Sequence, residues 1–99
     1  MNIINYYRDK IKKIIRKEFT LEESDLKNIS FEFPKDSSLG DLSTNASMIL
    51  SGKLKKSPQE IASKIINLIE NNPDFENVEI AGKGFINIKL KKNVWWNLL

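Results

Sequence analysis

Gly82-Lys83-Gly84-Phe85-Ile86-Asn87-Ile88-Lys89-Leu90 is the stretch from which the fold of this chain is read. Side chains of a strand alternate between the two faces of its sheet, so two unlike rows emerge. Ile86, Ile88 and Leu90 point one way and make an ordinary core face. Phe85, Asn87 and Lys89 point the other way, placing a ring, an amide and an ammonium in line on the face a core does not use. A ring stacks on a base, an amide reads a base edge, and a cation meets phosphate. The stretch is therefore a candidate platform for single-stranded or looped RNA. A plainer reading stays open: Phe85 covering the sheet beside a glycine, and Asn87 as a surface amide bonded to water.

Working outward, Val78 and Ile80 alternate in the same way, and Gly82-Lys83-Gly84 is a short turn, so residues 77–91 read as a β-hairpin. Upstream, Ser57-Pro58-Gln59-Glu60 supplies an N-cap, a proline at the first helical position and an acid at the third. The helix it opens buries Ile61, Ala62, Ile65, Ile66 and Ile69 and stops at Asn71-Asn72-Pro73. Asp41 stands as the N-cap of a helix running to about Leu54, after a loop over 34–40. Ile29 to Phe33 alternates as a half-buried strand whose inner row is Ile29, Phe31 and Phe33. Ile3, Ile4, Tyr7, Ile11, Ile14 and Ile15 share one side of a helix over about 2–18. Thr20-Leu21-Glu22-Glu23 has capping-box spacing for a short turn through about Leu26. This order predicts an α+β domain of two layers, an antiparallel sheet of three to four strands with helices packed on one face. The other face stays open, and Phe85, Asn87 and Lys89 occupy it.

The 99 residues make one domain, and 40% apolar with 29% charged residues is the balance of a globular protein. With no cysteine there is no disulfide framework, and with no histidine there is no imidazole catalysis or His-ligated metal. There is no Gly-rich phosphate loop either, so no catalytic residue and no metal ligand is assigned. No run approaches a membrane span and no signal pattern opens the chain, so a cytoplasmic location is expected. The net charge of +3 is uneven: residues 1–20 and 81–99 are basic, and the middle is acidic. If the ends meet, they form a basic face suited to a polyanion; a solvated lysine surface is the alternative.

Three landmarks stand in register: Gly40-Asp41-Leu42-Ser43-Thr44-Asn45, then Pro58-Gln59-Glu60-Ile61-Ala62, then Gly82-Lys83-Gly84-Phe85-Ile86-Asn87. Together they resemble the N-terminal additional domain of arginyl-tRNA synthetases, with its Gly-Asp-Tyr-Ala-Thr-Asn, Pro-x-Glu-Ile-Ala and Gly-Pro-Gly-Phe-Ile-Asn motifs. The resemblance covers roughly residues 1–92. Leu42 replaces an aromatic residue of the family, Leu39 a histidine, Lys83 the proline of the turn, and Lys55 a helix-ending glycine.

The resemblance implies a tRNA-binding module that holds the D-loop of an arginine-accepting tRNA. Phe85 and Asn87 fall on the positions that hold an exposed D-loop base, and Lys83, Lys89 and Lys91 are placed near enough to meet phosphate. It further implies a parent enzyme, an arginine-tRNA ligase acting as a monomer, whose class I catalytic domain lies in the same chain. That domain uses ATP with magnesium; no cofactor is expected in this segment. Residues 1–92 are then the tRNA-binding domain. Residues 93–99, with Asn93 capping Val94-Trp95-Trp96-Asn97-Leu98-Leu99, begin a helix leading to the catalytic domain beyond Leu99. The alternative is a structural or protein-docking domain that packs on the synthetase body without reading RNA.

Overall fold

The computed structural model describes residues 3–34 and 40–94. Helix α1 (Ile3–Phe19) turns Ile3, Tyr7, Ile11 and Ile15 into the core at a spacing of four, which keeps them on one face. Ile14, expected on that row, is pushed to its exposed edge. The Tyr7 hydroxyl donates to Asp74 Oδ2 at 2.9 Å and ties the helix to a residue 67 positions along the chain. Burial, then this bond, pushes the phenol well above its usual pKa range. The short helix α2 (Glu23–Leu26) opens at Glu22 rather than Thr20. Asp25 accepts from the Glu22 N–H at 2.8 Å, whereas Thr20 takes a left-handed φ of 53°. The Lys53 ammonium first, and the Glu22 N–H second, hold the Asp25 carboxyl below the usual carboxylate range.

Two expectations about the sheet are corrected. Strand β1 (Phe31–Glu32) is only two residues long, and Phe33 is not part of its inner row but 57% exposed. Pro34 is the physical reason: it has no N–H for the ladder and restricts the residue before it, so the chain leaves the edge there. Strand β2 (Leu42–Thr44) occupies what reads as a helix start, and Asp41 caps nothing. Helix α3 (Ala46–Leu54) begins five residues later, with the Ala46 N–H donating to Thr44 Oγ1 at 3.2 Å. Lys55 closes α3 in the left-handed conformation, at φ 53°. Helix α4 (Pro58–Ile69) starts as its cap residues predict, with Ser57 Oγ accepting from the Glu60 N–H at 3.1 Å.

Strands β3 (Phe75–Ala81) and β4 (Phe85–Leu90) form the hairpin, and the sheet runs β1-β2-β4-β3, antiparallel throughout. Its register stacks Phe31, Thr44, Ile86 and Ile80 in one inner rung and Leu42, Ile88 and Val78 in the next. The buried rows of α1, α3 and α4 join these residues in a single core. The result is the expected α+β architecture of two layers. Val94 is buried in a last helical stretch that opens at Lys92, so Asn93 lies within it rather than capping it. Trp95, Trp96, Leu98 and Leu99 lie outside the described residues, as do residues 35–39, where a loop is expected.

Candidate nucleic-acid interface

On the outer side of the sheet the same register aligns Glu32, Ser43, Asn87 and Glu79 across four strands. This rung is polar from edge to edge. Phe85 stands two residues before Asn87 on the same face and is 40% exposed, while Ile86 and Ile88 behind it are fully buried. A cavity of about 400 Å³ opens here, lined by Phe85, Asn87, Ser43, Asn45, Glu32 and Phe33 among others. Asn87 is not bare on this face: it is 4% exposed and forms part of the cavity floor.

The three sequence landmarks converge on β4. Gly40 approaches so closely that a side chain there would meet the Ile88 carbonyl oxygen at 2.9 Å, and its φ of +125° suits only glycine. The next residue clasps one edge of the strand at two points. The Asp41 N–H donates to the Ile88 carbonyl at 2.7 Å, and Asp41 Oδ2 accepts from the Leu90 N–H at 2.7 Å. Gly84 lies against α4, where a Cβ would fall 2.6 Å from that of Pro58. Gln59 Nε2 donates to the Gly82 carbonyl at 3.2 Å. So the helix start and the Gly-Asp pair hold the hairpin in place, and the hairpin presents Phe85 and Asn87.

Two asparagines reach the cavity with different fates. Asn45 Oδ1 accepts from the Ser30 N–H at 2.8 Å, and its Nδ2 donates to the Asn28 carbonyl at 3.4 Å. Both ends of that amide are spent on the backbone leading into β1. The Asn87 amide makes no side-chain hydrogen bond among the described residues. Its two donors and one acceptor are unspent among the described residues.

The lysines stand apart from the cavity. Lys83 is exposed in the turn, Lys91 lies just past β4, and Lys89 pairs with Glu76 at 3.4 Å. Lys12, Lys13 and Arg16 of α1 line a different hollow of about 290 Å³ with Lys27, Asp9 and Glu23, on the helical layer. Sequence reasoning missed Glu32, Phe33 and Ser43. Pro34 was the available signal for Phe33; Ser43 had none, since its strand was not foreseen.

Residues 5–90 match the family model described as the arginyl tRNA synthetase N terminal domain. The arginine–tRNA ligase of Bartonella bacilliformis is 43% identical, the match taking in 100% of this chain and 18% of that protein. That of Bartonella tribocorum is 46% identical over 96% of this chain and 17% of the relative. The chain thus spans under a fifth of the length of these relatives. Two solved structures share the fold. The arginyl-tRNA synthetase of Plasmodium falciparum gives a TM-score of 0.77 at 23% identity, with 93% of this chain and 16% of that one covered. The Thermus thermophilus enzyme gives 0.75 at 16% identity, with 98% and 15% covered.

Proposed function

This chain belongs to the arginyl-tRNA synthetase N-terminal domain family, and on that premise we propose that its outer sheet face holds an unpaired D-loop nucleotide of an arginine-accepting tRNA. The catalytic domain of the same polypeptide, beyond this segment, then attaches arginine with ATP and magnesium, in a cytoplasmic monomer. Among the described residues no three metal-ligating side chains converge, and no step of that chemistry is assigned to this domain. Its work is binding and orientation.

The observation that carries the reading is the pairing of an exposed ring with a shielded, unspent amide in one cavity. A base laid on Phe85 gains stacking of about 1–3 kcal/mol, and because every base has a π-face this does not choose among them. The Asn87 amide offers both a donor and an acceptor to a base edge, which does choose. Shielding matters here. A hydrogen bond formed out of bulk water is stronger, and a wrong base leaves a polar group unpaired. Lys83 and Lys91 add attraction to phosphate that fades as salt rises. The docking alternative fits less well, because a protein interface core is depleted in charged residues, and the rung beside Asn87 carries Glu32 and Glu79.

The test is aminoacylation by the full-length enzyme carrying Phe85→Ala or Asn87→Ala. Each variant should raise KM for tRNA about tenfold, matching a loss near 1.4 kcal/mol. The constants for ATP and arginine should stay at their starting values. Unchanged tRNA kinetics in both variants would refute the reading.

A further inference from the structure

Phe33 is a cavity residue that neither the core nor the sheet ladder explains, and Glu32 of β1 lines the same cavity. Resting on the RNA-binding reading above, we propose that the cavity is a two-sided slot for one nucleobase. Phe33 is the wall facing Phe85, and Glu32 selects a base bearing an exocyclic amino group.

The slot follows from the strand order. Phe33 leaves the end of β1 and Phe85 opens β4, with β2 between them. Two strand spacings and three residues of rise set the two positions roughly 14 Å apart on the diagonal, and both rings line the one cavity from its two ends. Ser43 of β2 and Asn87 of β4 supply the floor. Alternation alone sends Phe33 inward with Phe31, yet it stands 57% exposed beside the cavity, redirected by Pro34. A phenylalanine left in water forgoes burial, and here it becomes available for stacking.

The selection follows from charge. Glu32 is the one ionisable residue lining the cavity among the described residues, and no ion pair engages it there. A carboxylate only accepts hydrogen bonds. At an RNA surface it repels phosphate, so it weakens every complex except one that gives it a donor. An exocyclic amino group, as on cytosine or adenine, is that donor. Uracil carries carbonyls where those bases carry the amino group, and a carbonyl against a carboxylate is repelled. Asn87 presents donors and an acceptor together, whereas Glu32 presents acceptors alone.

The experiment uses the full-length enzyme and an arginine-accepting tRNA with 2-aminopurine at the unpaired D-loop position, whose fluorescence falls on stacking. Companion tRNAs carry A, C or U there. Phe33→Ala should reduce the quenching and weaken binding by roughly tenfold, as Phe85→Ala does. Glu32→Gln should bind all three tRNAs at least as tightly and lose the preference for A and C over U. A merely repulsive role for Glu32 would raise affinity while keeping the preference, and that result overturns the selection. Full quenching in Phe33→Ala with loss in Phe85→Ala overturns the slot and leaves the RNA-binding reading intact. No effect in Phe85→Ala overturns both.

Discussion

Asn45 and Asn87 line one cavity, the first just past β2 and the second in the middle of β4. Sequence patterning treats them alike, since each closes a short motif. Their surroundings separate them. Asn45 bridges two backbone groups of the segment entering β1, so its amide is part of the scaffold. Asn87 is paired with β2 on one side and β3 on the other, and its side chain serves no backbone group among the described residues. An amide becomes available to a ligand where the fold has already satisfied its neighbours.

That contrast can be broken at its support. Asp41→Ala removes the carboxylate that holds the Leu90 N–H and should cost about 1.5–3 kcal/mol, the worth of a charge-assisted bond. Urea unfolding of the domain measures it, and a loss under 0.5 kcal/mol would show that β4 needs no clasp. Asn45→Ala comes next. It strands the Ser30 N–H and should cost about 1–2 kcal/mol in the same experiment. Asn87→Ala should leave stability within about 0.5 kcal/mol, because no protein group loses a partner. If Asn87→Ala destabilises as much as Asn45→Ala, the two asparagines are both structural and the contrast disappears.

The hairpin and α4 were legible because their signals are local. Ser57-Pro58 caps a helix using atoms three residues away, and Ile86-Ile88-Leu90 declares its inner face by alternation alone. Strand β2 was not legible. Leu42-Ser43-Thr44 is too short to show a period, and its neighbours Asp41 and Asn45 are residues that favour turns and caps. It is a strand because β4 offers an edge, and the Asp41 and Ile88 backbones meet across 47 positions of chain to extend that pairing. Phe33 failed for the opposite reason. A correct periodic pattern ran one residue too far, and the proline after it redirected the ring.

Residue order alone was enough to set the core face of the hairpin, the start of α4 and the kinship with the synthetase domain, since each depends on near neighbours or on motif spacing. Which polar side chains are left without a protein partner was decided only in three dimensions. Asn45 and Asn87 carry the same amide, and nothing in the chain tells them apart until backbone groups from distant segments arrive beside one and not the other. Hydrogen bonding is settled by proximity across the fold, whereas alternation is settled by geometry within the strand.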